Sequence, residues 1–134
     1  MDPHENLPLA TFLEKKATGN LLQAGLRGAC GRAYYSAFGV IRDILDAAKM
    51  PIPHQGAHKR VLTLLSTSTS PDVLVARGLY RQLRETRDEA DYDVGRRAKT
   101  PFDLKRSQRA IVLATTVISA MEQAATANPR LYIP

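Results

Sequence analysis

From about Arg27 to Lys49 the chain is apolar over most of a helix circumference. Ala33, Ala37, Val40, Ile44 and Ala47 form one stripe, and Tyr34, Phe38, Ile41 and Leu45 the adjacent one. Steps of three and four residues mark a helix. One with so wide an apolar arc has to be covered on more than one side. This segment therefore belongs at the centre of a bundle or in a dimer interface. Pro51 and Pro53 stop it, since proline lacks the backbone N–H that the next turn needs.

Four further segments share the helical period. The first runs roughly from Leu9 to Gln23, with Leu9, Phe12, Leu13, Ala17, Leu21 and Ala24 at helical intervals despite Gly19. A short third helix is expected from His54 to Ser66, carrying Val61, Leu62, Leu64 and Leu65, before the polar loop of residues 66–70. Ser70 followed by Pro71 is a helix start, because serine accepts from free backbone N–H groups and proline suits the first helical position. That fourth helix continues to about Tyr92, with Leu79, Leu83, Thr86 and Ala90 inward. After a polar link and Thr100-Pro101, Leu104, Ile111, Ala114, Ile118, Met121 and Ala125 line a fifth helix ending near Ala127, with residues 128–134 as an extended tail. No stretch alternates as a strand does. With 134 residues, one core's worth, the expectation is a single all-α domain (core about 9–125) built as an up-and-down bundle of about five helices.

Composition excludes several classes. Apolar types at 44% and charged types at 24% describe a chain that folds rather than a disordered one. The run Ala110 to Met121 is broken by Thr115, Thr116 and Ser119 and is shorter than the ~20 residues of a membrane span. The N-terminus lacks the basic start and apolar stretch of a secretory signal, and the lone Cys30 cannot form an internal disulfide, so a cytoplasmic protein is expected. The glycines fit neither phosphate-cradling fingerprint, and no cofactor is expected. His54 and His58 have the spacing of a helical metal pair but no HExxH context, and Gly56 lies between them. They read as helix-start or surface residues, with no metal. Ser36 and Cys30 have no sequence-adjacent histidine and read as packing residues.

Nineteen basic against thirteen acidic residues leave a charge of +6, which favours an anionic partner. The charge is most organised in RGLYRQLRETRDEADYD, residues 77–93, where Arg77, Arg81, Arg84, Asp88 and Asp91 share a helix face. One reading is a solvated ladder with pairs such as Arg84–Asp88 and Arg87–Asp91. The other is a phosphate grip, for which arginine's planar, permanently charged fork is suited. Tyr92 can stack on a base or donate from its hydroxyl, and Arg96, Arg97 and Lys99 form a further basic cluster able to track a nucleic-acid backbone.

Two stretches, GRAYYSAF at residues 31–38 and the fourth-helix ending Leu83-Arg84 to Arg87 with Ala90-Asp91-Tyr92-Asp93, resemble HEPN domains. They are similar to a bacterial subfamily with an RAYYAxF segment on helix two, a histidine-bearing helix three and an R-x-x-ADYD ending on helix four. The resemblance implies an all-helical homodimer that pairs, as a toxin, with a small nucleotidyltransferase antitoxin. Many such toxins are metal-independent ribonucleases, whose Arg-x4-6-His motif uses arginine on the scissile phosphate and histidine on the ribose 2′-hydroxyl. The present chain departs from that motif, because its last histidine is His58. Asp91 follows Arg84 after six intervening residues and Tyr92 follows Arg87 after four, so either could stand in the histidine's place. Ordinary values of ~3.9 for aspartate and ~10 for tyrosine would both have to move far to replace imidazole. Tyr92 is also nearest to the tyrosine that the partner modifies in some family toxins.

The resulting expectation is a HEPN-type toxin or defence protein acting on RNA, with Arg84, Arg87, Asp91 and Tyr92 as catalytic candidates and Arg77, Arg81, Arg96, Arg97 and Lys99 as RNA- or nucleotide-binding candidates. The alternative is a non-catalytic nucleotide- or substrate-binding subunit of a nucleotidyltransferase complex. Tyr34, Tyr35 and Phe38 on the crowded second helix fit a two-fold contact in a homodimer.

Overall fold

The computed structural model describes residues 2–16, 22–92 and 103–134, and their regular structure is entirely helical. The elements are α1 (Pro3–Lys16), α2 (Leu22–Ala47), α3 (Ala57–Ser66), α4 (Pro71–Tyr92) and α5 (Leu104–Ala127), and they form an all-α bundle. The helix with the broad apolar arc is its centre. α2 packs against all four other helices, and Leu26, Ala29, Cys30, Ala33, Tyr34, Ala37, Ile41 and Leu45 are shielded from water on it. Intramolecular neighbours thus account for the arc, and Tyr34 lies inside rather than at a surface where a second copy could touch it.

Helix starts follow capping chemistry. Ser70 caps α4, its Oγ accepting from the Val73 N–H at 3.4 Å and its carbonyl from Leu74 at 3.1 Å. Asp103 caps α5, accepting from the Arg106 N–H at 2.8 Å. α3 begins at Ala57, three residues after the expected His54, because Gly56 takes a left-handed conformation (φ 68°) that breaks the helical path.

The largest boundary correction is at the N-terminus. Of the expected Leu9–Gln23 helix, Leu9 to Lys16 belong to α1, Leu22 and Gln23 to the first turn of α2, and residues 17–21 lie outside the described residues. α1 starts early because Asp2 accepts from the His4 N–H at 2.9 Å and Pro3 occupies the first position, where no N–H is needed. Pro8 lies inside the helix without ending it, forfeiting one backbone bond while Asn6 and Ala10 stay buried. In α5 the buried face is Ser107, Ala110, Leu113, Ala114, Val117, Ile118, Met121 and Ala124, leaving Leu104 48% exposed instead of inward.

α5 has the length and mean hydropathy to cross a membrane, which the interrupted run 110–121 did not suggest. In the bundle its apolar side packs against α2 and α4. The tail is not extended. Residues 129–132 form turns, with Leu131 and Tyr132 both at φ 57°, and the segment folds back on the bundle. Ser68 Oγ donates to the Leu131 carbonyl at 2.6 Å, the Thr69 N–H donates to the Tyr132 carbonyl at 3.0 Å, and Leu131 and Ile133 are buried. Burying these two side chains outweighs the left-handed strain.

The first turn of α1 sits on α2 through a glycine. A Cβ on Gly39 would stand 2.6 Å from Pro3 Cγ and 2.7 Å from Pro3 Cβ, closer than such atoms approach. Next to it, Ser36 Oγ donates to the Pro3 carbonyl at 2.6 Å. Gly39→Val is therefore expected to lift the start of α1 and destabilise the fold by ~1–3 kcal/mol. A lower urea midpoint with faster amide exchange at residues 4–7 would bear this out; unchanged values would refute it.

Candidate functional site

At the α4 flank of α2, three helices deliver polar groups to one point. Tyr34 of α2 is fully buried, and its hydroxyl bonds to both the Tyr80 hydroxyl of α4, at 2.9 Å, and His58 Nδ1 of α3. The period that fills the core also places Tyr34, Tyr35 and Phe38 along one side of α2. Phe38 stands 4.7 Å from the His58 ring, centroid to centroid, and Tyr34 5.3 Å from it.

Arg87 is clamped here. Its guanidinium lies 5.2 Å from the Tyr34 ring centroid and 5.4 Å from that of Tyr35, donates to the Tyr35 hydroxyl at 2.9 Å and pairs with Asp88 at 3.3 Å. Only 14% of the side chain is exposed. Cation–π contact within ~6 Å holds such a charge in place. Arg84, one turn earlier, is half-buried and acts electrostatically on Tyr34, His58 and Tyr80, yet has no hydrogen bond or ion pair with another described side chain. It is the cation at this site that has charge to offer a ligand.

The surroundings fix the protonation states. Burial, followed by the charges of Arg84 and Arg87, lowers the His58 pKa, and Asp88 opposes this, so the imidazole is neutral near pH 7. Burial first, then the neighbouring Tyr80, pushes the Tyr34 phenol far above its ordinary value, and burial raises Tyr80 to about 12. Both phenols therefore keep their protons.

Which nitrogen of His58 carries the proton follows from satisfying the chain of hydroxyls. Tyr80 is fully buried, and among the described residues its hydroxyl meets only that of Tyr34. Its proton must point to Tyr34, and the Tyr34 proton then points to His58 Nδ1. The reverse order would strand a buried O–H at a cost of ~1–3 kcal/mol. His58 therefore accepts at Nδ1 and presents Nε2 as a donor. An imidazole N–H and the Arg84 guanidinium are both donors of the kind that an oxyanion such as phosphate accepts from.

The remaining sequence candidates divide. Arg77 is committed to the fold, its Nε donating to the Leu62 carbonyl at 2.9 Å and tying α4 to α3. Arg81 is 64% exposed and pairs with Glu85 at 3.4 Å, the solvated ladder in practice. Arg87 pairs with Asp88, while the ladder's suggested pairing of Arg87 with Asp91 involves a side chain outside the described residues. Asp91 and Tyr92 end α4, with side chains outside the described residues, and Arg96, Arg97 and Lys99 lie wholly outside them. The end of α4 is held by Arg27, which donates to the Glu89 and Ala90 carbonyls at 3.2 and 2.9 Å, a basic cap on a helix C-terminus.

Tyr80 carries no signal in the sequence, and His58, expected as a helix-start or surface residue, does stand in the first turn of α3 but not at the open surface. His58 is half-buried against Tyr34 and Phe38. The RAYY segment was the signal for Tyr34, whereas nothing local linked it to positions 24 and 46 residues away. No family model, curated protein or solved structure matches the chain.

Two outcomes are expected. Because folding lowers the His58 pKa, the unfolded chain takes up the proton first on acidification, so stability held above pH ~6.5 falls as the pH drops through that value toward the folded pKa. His58→Gln should flatten this slope in melting temperatures taken between pH 7.5 and 5. Ring ¹⁵N shifts should show His58 protonated on Nε2, and Tyr80→Phe, which removes the O–H that orders the chain, should give a mixture of tautomers. A wild-type His58 protonated on Nδ1 would contradict the ordering.

Proposed function

We propose that this chain is a HEPN-type protein that acts on RNA by holding a phosphate between Arg84, Arg87 and the Nε2–H of His58. Its proposed setting is a toxin–antitoxin or defence pair with a small nucleotidyltransferase. The observation that carries the reading is Arg84: a half-buried guanidinium with no described side-chain partner, beside a second arginine and a neutral imidazole. Desolvated cations of this kind are costly without an anion, and a nucleic-acid phosphate supplies one. The net charge of +6 would assist the encounter. The resemblance in residues 31–38 and 83–93 supports the pairing, the homodimer and a cytoplasmic location as parts of the same proposal.

The geometry favours holding RNA over cutting it. Taking a proton from a 2′-hydroxyl requires a lone pair on Nε2, which is where the ordered hydroxyl chain places the proton. Cleavage is the second reading, and the position of His58 supports it. α3 brings this imidazole within electrostatic reach of Arg84 and Arg87, so the histidine missing from the α4 motif has a spatial counterpart.

Fluorescence anisotropy with labelled RNA tests the binding. Arg84→Ala should weaken it about ten-fold and reduce the slope of log affinity against log salt by ~0.7, while Arg81→Ala should leave both near wild type. Equal affinity and slope in the Arg84 variant would end the reading. Total RNA incubated with the protein should stay intact; cuts that disappear in His58→Ala would establish the nuclease reading in its place.

A further inference from the structure

Beside His58, and with Arg84 of α4 not among its walls, the surface opens into a cleft of about 180 Å³ between the middle of α2 and the segment leading into α3. Tyr35, Phe38, Arg42, Pro53, His54 and His58 are among its walls. Drug-sized sites measure ~300–1,000 Å³, so this one has room for a single planar ring system and not for a whole nucleotide. We propose that it is a nucleobase subsite, which takes one unpaired base of the molecule whose phosphate meets Arg84 and Arg87.

Three observations point to a base. The walls are flat and π-rich: Phe38 and His58 meet at 4.7 Å, and Tyr35 is 42% exposed. They also carry in-plane donors and acceptors. Arg42 lies 5.7 Å from the Phe38 centroid and has no hydrogen bond or ion pair with another described residue, while His54 adds a second imidazole and no carboxylate lines the cleft. Arginine's fork matches the O6 and N7 edge of guanine. Finally, the cleft adjoins the anion site. His58 belongs to both, and the Tyr35 that lines the cleft accepts from Arg87 through its hydroxyl. A base and a phosphate thus meet the protein on either side of one imidazole.

A metal explains the cleft less well, since His54 and His58 find no third ligand: among the described residues no group of three metal-binding side chains exists. A duplex is also a poor occupant, because its bases are stacked and paired and would have to be flipped out to enter. The subsite therefore selects single-stranded RNA or a free nucleotide over double-stranded RNA.

The inference rests on the phosphate reading, and the test separates the two. Anisotropy would compare a 12-nucleotide single strand, its duplex and an abasic ribose-phosphate strand of equal length. The intact single strand is expected to bind about ten-fold or more tightly than either of the others. Arg42→Ala and His54→Ala, both at exposed positions that leave the core untouched, should bring the single strand down to the abasic level while preserving the Arg84-dependent, salt-sensitive remainder. Abasic and intact strands of equal affinity, or full discrimination in both variants, would overturn the subsite and leave the phosphate reading standing. Full affinity and salt slope in Arg84→Ala, with discrimination between intact and abasic strands retained, would support the base cleft and remove the phosphate grip. Binding of none of the three probes would overturn both. Competition by GMP or AMP identifies the source: displacement of the strand at equal concentration assigns the cleft to a free nucleotide, and weak displacement to a strand.

Discussion

The Tyr34 hydroxyl is the joint on which the rest of the arrangement depends. It sits on the helix that every other helix touches, is shielded from water, and bonds at once to a residue of α3 and a residue of α4. A buried hydroxyl without partners would be expensive, so α3 and α4 have to approach α2 in the one register that supplies both. The requirement that satisfies the core also brings His58 and the arginine turn of α4 together. Packing and site assembly are here a single constraint.

Electrostatics then sorts groups that look alike in sequence. Four arginines recur on α4, and their surroundings separate them. Arg77 reaches a backbone carbonyl, Arg81 a carboxylate in solvent, Arg87 two tyrosine rings and Asp88, while Arg84 keeps its charge available. The same two cations that would suit a phosphate also help burial keep His58 neutral, and the chain of phenols sets which of its nitrogens donates. On the proposed reading, a neutral donor beside two cations suits holding an anion better than general-base work, unless the chain of phenols reverses. The nuclease chemistry that the family resemblance implies therefore meets its obstacle in a tautomer.

Much of the architecture was legible in the chain itself. The broad arc of α2 announced its central place, Ser70-Pro71 marked the start of α4, and the absence of alternating segments excluded sheets. Where the reading slipped, a competing local signal misled it. The Asp2-Pro3 cap precedes the periodic run that begins at Leu9, and the seven residues after Ala127 look featureless until Ser68 and Thr69 are there to donate to their carbonyls. Arginines on the polar side of α4 could be nominated by spacing, whereas choosing among them required knowing which faces α3 and α2 would cover.

What the sequence determined by itself is the set of helices, the central one, and a basic face on the fourth, because periodicity and capping are local and act within a turn or two. Only the tertiary structure decided that His58 joins Arg84 and Arg87, that Tyr34 and Tyr80 set its tautomer, and that Arg42 and His54 border a cleft beside it. These groups lie tens of residues apart, and proximity across helices depends on how three apolar faces pack together, which no spacing within one helix encodes.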